Sequence, residues 1–175
     1  RNIAGILAMI RHLGAIVGVG DKAEELASSY EKRLNDIQIK KKDVDRPRVY
    51  FEEWDSPMIT GIKWVSELIE VAGGQDVFFE LSRNMAATDR IVASQQVINA
   101  SPNIIVASWC GKKVRPETFY EREGWSAVPA VKKNCIYEIK SPLILQPGPA
   151  ALTDGQDKLV QIFDMYDHSK GELVY

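Results

Sequence analysis

Apolar residues recur at helical spacing over roughly the first forty positions, then break into short β-type runs separated by further helical stretches. Residues 2–16 place Ile3, Ile6, Leu7, Met9, Ile10, Leu13 and Ile16 on several sides, which predicts a helix meant to be covered. Gly18-Val19-Gly20-Asp21 breaks that pattern, and Asp21 is positioned to cap a following helix. Over residues 22–42, Ala23, Leu26, Ala27, Tyr30, Leu34 and Ile37 fall at spacings of three, four and seven and define one helical face. At ~1.5 Å per residue such a helix is about 30 Å long and crosses a whole domain. Arg46-Pro47 ends it and leads into a first strand.

From there β and α patterns alternate. A strand at 48–53 precedes a helix at 60–72, with Ile62, Val65, Leu68, Ile69 and Ala72 on one side and Gly73-Gly74 as its stop. A looser stretch, 75–91, leads to a short helix at 94–100 and a strand at 103–108. A helical turn near 116–122, a strand at 135–139 and a final helix at 151–167 follow. The order predicts an α/β fold, a mostly parallel sheet flanked by helices. Three of the strands run into loops mixing aromatic, charged and turn-forming residues: Trp54-Asp55-Ser56-Pro57, Ser108-Trp109-Cys110-Gly111-Lys112-Lys113, and Lys140-Ser141-Pro142 with Gln146-Pro147-Gly148-Pro149. If the strands are parallel, all three loops share the carboxyl edge, where open α/β sheets bind ligands.

Composition narrows the classes. The 175 residues suit one compact domain, and a net charge of −2 with acids and bases intermixed leaves no electrostatic footprint for nucleic acid. The densest basic run, Lys40-Lys41-Lys42, is followed by Asp43 and Asp45 and reads as a solvated helix end. No apolar stretch approaches the ~20 residues of a membrane span. Arg1 is not an initiator Met and no signal-peptide pattern precedes residue 3, so the expectation is a piece of a longer protein. Cys135 opens one strand and Cys110 follows the end of another, which places them on opposite edges, roughly 17–20 Å apart. A disulfide needs Cα atoms within about 7 Å, so two free thiols are expected.

Candidate chemistry is open at this level. Trp109-Cys110-Gly111 beside Lys112 and Lys113 could be a thiol nucleophile turn, but such a nucleophile needs a base, and the only histidines are His12 and His168. There is no Cys-x-x-Cys or paired His for a metal, and carboxylates such as Glu53 and Asp55 are commonplace. Lys112, Lys113 and Arg115 either hold an anionic ligand or solvate a loop. Trp54 and Trp109 either contact a ligand or complete the rim. Gly18 and Gly20 precede no strand-to-helix turn and make no nucleotide fingerprint.

Several blocks together are more specific. Glu52-Glu53-Trp54-Asp55-Ser56-Pro57-Met58-Ile59-Thr60-Gly61, the helix end Glu70-Val71-Ala72-Gly73-Gly74, Ala100-Ser101-Pro102-Asn103-Ile104-Ile105, Ser108 to Lys113, and Gln146-Pro147-Gly148-Pro149-Ala150-Ala151-Leu152 resemble the C-terminal lobe of a class III periplasmic substrate-binding protein. That family serves cobalamin and ferric-siderophore ABC importers, and the resemblance, which spans residues 20–167, is to its cobalamin-binding-protein-like branch. It implies two α/β lobes joined by a long rigid helix, with ligand in the cleft between them. Residues 1–21 would then be a remnant of the N-terminal lobe, 22–45 the connecting helix and 46–175 the C-terminal ligand-binding lobe.

The resemblance implies a non-enzymatic protein without a cofactor. It would capture a corrinoid such as cobalamin, or alternatively a ferric siderophore or haem, and deliver it to an ABC importer permease. The full protein would be periplasmic or lipid-anchored on the outer face of the cytoplasmic membrane. The implied cleft wall is Trp54, Asp55, Asp89, Arg90, Trp109, Cys110, Lys112, Lys113, Ser141, Ile144 and Gln146. Indoles would cover apolar faces while the polar groups meet peripheral amides or carboxylates. Two departures stand out: Ser94-Gln95-Gln96-Val97 lacks the glutamate that such receptors present to the permease, and no aromatic lies near position 89. Docking would then use Asp89 or Glu80, or the other lobe. Without that lobe the first helix would leave apolar surface uncovered, which predicts self-association or rearrangement. The competing class is a flavodoxin-like enzyme domain using Cys110.

Overall fold

The computed structural model describes residues 1–42 and 45–171, the last four by backbone alone; Asp43, the join within 22–45 and the His168 side chain lie outside that description. Two antiparallel helices come first. α1 (Ile3–Ile16) is capped by the Asn2 side chain, which accepts from the Gly5 N–H at 2.8 Å, and α2 (Gly20–Lys40) follows after a three-residue turn. Asp21 lies inside the first turn of α2 rather than capping it: Gly20 is already helical and Val19 takes the cap position without a side-chain bond. The helices approach closely at Gly14, where an added Cβ would lie 2.1 Å from the Ala23 Cβ.

The remaining elements are β1 (Arg48–Asp55), β2 (Met58–Thr60), α3 (Lys63–Val71), β3 (Gln75–Asp76), α4 (Ser94–Ala100), β4 (Ile104–Ala107), α5 (Glu117–Glu121), α6 (Pro129–Lys132), β5 (Ile136–Glu138), α7 (Ser141–Ile144) and α8 (Gln156–Gly171). The sheet order is β2-β1-β4-β5, with β3 also paired to β1. β1, β3, β4 and β5 are parallel; β2 is antiparallel and closes a hairpin through Ser56 and a cis Pro57. The segment expected as the first βα loop is therefore the end of a longer strand plus a hairpin turn.

Val49, Tyr50 and Phe51 of β1 and all of β4 are fully buried, as parallel strands covered on both faces must be. α3 packs with α1, α2 and α8, and its Trp64 donates to the Ile144 carbonyl at 2.9 Å, tying α3 to α7. Both cysteines are free, Cys110 exposed and Cys135 buried. α1 buries only Ile6, Leu7 and Gly14, while Met9, Leu13, Ile16 and Val17 stay exposed.

Candidate ligand-binding site

Strand register brings the three loops together. Glu52 of β1 pairs with Ala107 of β4, and Ala107 with Glu138 of β5, so these three residues form one row at the carboxyl edge. The Ser108 and Ile139 amides continue the ladder one step, at 2.9 and 3.1 Å; the β4 and β5 chains then leave the sheet, while β1 runs on to Asp55 against β2. On the β1 side, the Trp54 indole donates to the Ser56 carbonyl at 2.9 Å. From the β4 loop, Lys112 reaches back to the Asp55 carboxylate. Its ammonium lies 5.5 Å from the Trp54 ring centroid and 4.9 Å from that of Trp109.

A buried polar network holds this edge. Glu52 has no exposed surface, and its carboxylate accepts from both terminal Arg122 nitrogens at 2.6 and 2.9 Å, from Tyr50 at 3.0 Å and from the Trp109 indole at 3.2 Å. Burial pushes the Glu52 carboxyl up, and the Arg122 donors oppose that shift. The Arg122 guanidinium rests over Phe119 and Trp125 at 4.6 and 4.5 Å, and Phe119 stacks on Trp109. Charge, indole and ring stack are thus one unit. Sequence reasoning did not select Glu52 or Arg122. An acid two positions after Tyr50 inside a β-run was the available signal, but its partner lies 70 positions away.

A cavity of about 530 Å³, a size suited to a small-molecule ligand, lies between the start of α1 and Glu53 of β1. Arg1, Asn2, Gly5, Ile6 and Met9 from the start of α1 line one side; Glu53, Ile62, Trp64, Ala87, Arg90 and Pro147 line the other. Arg90 is 2% exposed and holds both Glu53 oxygens, at 2.7 and 3.2 Å, together with the Thr60 carbonyl. Its Nε has no hydrogen-bond partner among the described residues.

The implied wall residues fall into three groups. Cys110, Lys112, Lys113, Asp89 and Gln146 are exposed, and Trp54, Asp55 and Ser141 are half-buried along the same edge. Trp109 and Ile144 are buried; Ile144 supports the wall from behind, and the Trp109 ring lies under the Lys112 ammonium. Arg90 alone of the eleven lines the cavity, locked by Glu53. Sequence reasoning missed Glu53, Trp64 and the α1 residues as lining groups, because the cavity depends on how α1 docks. The Ile3 N–H donates to Glu67 at 2.7 Å and Arg1 donates to the Met85 carbonyl, which anchors that docking. No group of three or more His, Cys, Asp or Glu side chains that could hold a metal occurs among the described residues.

The family model described as "Periplasmic binding protein" matches residues 1–143. The chain belongs to the periplasmic binding protein family. This is a family of substrate-binding transport proteins rather than enzymes. A substrate-binding lipoprotein of an ABC transporter from Bacillus subtilis, YvrC, is 25% identical over 167 residues, covering 92% of this chain and 50% of that protein. A vitamin B12-binding protein from Vibrio parahaemolyticus is 25% identical over 133 residues, covering 75% of this chain and 46% of that protein. The chain thus spans about half the length of the curated relatives it matches. Among solved structures, a possible iron-binding solute-binding protein from Staphylococcus epidermidis superposes with a TM-score of 0.78 at 18% identity, over 93% of this chain and 63% of the other. The haem-binding RhuT of Roseiflexus gives 0.73 at 18% identity, over 92% and 64%. These two structures establish the shared α/β fold of the family. No helix among the described residues is long and apolar enough to cross a membrane.

Proposed function

We propose that this chain is the C-terminal half of an ABC-importer solute-binding protein that captures a large chelate and passes it to a membrane permease. The observation that carries this reading is the 530 Å³ cavity lined by Glu53, Arg90 and the start of α1, in a chain of the periplasmic binding protein family. A cobalamin-type corrinoid is the first candidate, because vitamin B12-binding proteins are among the curated relatives. Ferric siderophore or haem is the second, because a possible iron-binding protein and a haem-binding protein are among the structural neighbours. Trp54, Asp55, Lys112, Lys113, Ser141, Gln146 and Asp89 supply the exposed part of the wall, with Cys110 at the tip of its loop. A second α/β lobe completes the cleft, and the exposed acids Asp89 and Glu80 are candidates for contact with the permease. The working location is the periplasm or the outer face of the cytoplasmic membrane.

Absorbance titration separates the ligands. Cyanocobalamin, hemin and a ferric hydroxamate are each added to the 175-residue chain and to a two-lobed version made by joining it to an upstream lobe. Selective binding of one ligand by the two-lobed protein, with binding weaker than micromolar by the chain alone, is the expected result. Micromolar or tighter binding by the monomeric chain alone contradicts the two-lobe cleft, and no binding by the two-lobed protein contradicts the chelate reading.

A further inference from the structure

The ammonium of Lys112 occupies a setting that proteins use to recognise organic cations. It lies over the Trp109 indole and beside that of Trp54, and bonds the Asp55 carboxylate. Ring faces attract cations through their quadrupole, and a carboxylate completes the charge match. The slot is also built from within. Trp109 is 2% exposed, with Phe119 stacked against it and its N–H held by buried Glu52, so its ring cannot swing away. The other Asp55 oxygen is buried and has no hydrogen-bond partner among the described residues, which leaves acceptor capacity unused. Lys112 itself is a rim residue: its side chain is 40% exposed, and it follows Gly111, whose φ of +68° turns the chain back toward Asp55.

We propose that Trp54, Trp109 and Asp55 form an alkylammonium subsite of the cleft, and that Lys112 is its resident, displaceable occupant. The proposal rests on the ligand-binding reading above and adds the chemistry of one subsite to it. With Lys112 in place the Trp109 face is closed. When a ligand carrying an alkylammonium group enters, it takes the slot and Lys112 moves to solvent. Nothing covalent is required, since one cation exchanges for another against the same carboxylate and rings. Lys112 therefore acts as a built-in competitor that sets a threshold for weakly cationic ligands.

The test needs no chelate. The chain is labelled with 5-fluorotryptophan and its four fluorine resonances are assigned by single Trp→Phe variants. Tetramethylammonium chloride is then titrated into wild type and Lys112→Ala, against sodium chloride at equal ionic strength. In Lys112→Ala, tetramethylammonium should shift the Trp54 and Trp109 resonances saturably while Trp64 and Trp125 stay fixed. Half-saturation should come at least tenfold lower than in wild type, and adding Asp55→Asn should remove the response. Shifts no larger than sodium chloride produces, equal responses in wild type and Lys112→Ala, or a response indifferent to Asp55→Asn each overturn the subsite. Loss of the dispersed Trp64 and Trp125 resonances would reveal an unfolded variant; Lys112→Met, which keeps most of the side-chain bulk, then replaces it in the same comparison. The chelate titrations fail or succeed independently of this result.

Discussion

At the scale of single residues, Trp109 shows how one side chain joins the core to the ligand edge. Its ring is stacked on Phe119, its N–H is held by Glu52 and its face is covered by Lys112. Trp109→Ala should therefore cost about 3–5 kcal/mol of stability, the range for removing a buried aromatic. Trp109→Phe should cost less, because Glu52 keeps Arg122 and Tyr50. Urea denaturation checks both, and an Ala variant as stable as wild type would remove the ring from the core. Cys110→Ser should leave stability within about 0.5 kcal/mol, since the thiol is exposed at a loop tip.

Asp76 is a second residue with a measurable signature. It is buried, accepts from the Ser66 hydroxyl and from the Phe78 N–H at 2.9 Å, and burial pushes its carboxyl up to about 6. The unfolded chain titrates near ~3.9, so the folded state holds the proton more tightly. Its contribution is fully present below the unfolded value and is lost as pH rises through about 6. The loss is of order 2–3 kcal/mol. Urea denaturation of wild type and Asp76→Asn at pH 4 and pH 7.5 isolates this contribution. The variant should gain relative to wild type at the higher pH, and a difference independent of pH would contradict the assignment.

At the scale of elements, the helix pair and the hairpin show where local pattern suffices and where it does not. Periodicity placed α1, α2 and α3 within a few residues, because each carries an apolar face at helical spacing. It missed β2, a three-residue strand that pairs through the hairpin and has no room to display an alternation. It also missed α6 and α7, four residues each, which begin at Pro129 and just before Pro142 and are set by what they close. The contact at Gly14 is a tertiary fact as well. Gly14→Ala places a methyl against Ala23, and overpacking of this kind costs about 1–3 kcal/mol. Thermal melts should show that loss, with partial recovery in Gly14→Ala/Ala23→Gly, where the opposing methyl is gone. A Gly14→Ala protein that melts like wild type would mean the two helices can part freely.

At the scale of the whole molecule, α1 is the element with an unmatched side. Met9, Leu13 and Ile16 of α1 are exposed, as are Val17, Val19 and Leu26 just after it, and large exposed apolar patches are uncommon on monomers. Sedimentation of the 175-residue chain should show concentration-dependent association, and Leu13→Glu with Ile16→Glu should suppress it while the far-ultraviolet spectrum is kept. A monomer at all concentrations would mean this face is tolerated in water as it stands.

The sequence by itself determined the α/β class, the parallel strands, the shared carboxyl edge and two thiols too far apart to join. These follow from hydrophobic period, turn residues and strand length, which are local properties of the chain. Tertiary structure alone decided which edge residues are open. Trp54 and Trp109 were indistinguishable as loop tryptophans, yet one is half-buried at the rim and the other lies in the core. The resemblance named Arg90 for the wall, but its lock on Glu53 could not be read from the chain, nor could Glu52 be known as a buried charge before Arg122 was seen to match it. The reason is physical. Burial and charge pairing are settled by residues tens of positions apart meeting in space, and no window of sequence contains both partners.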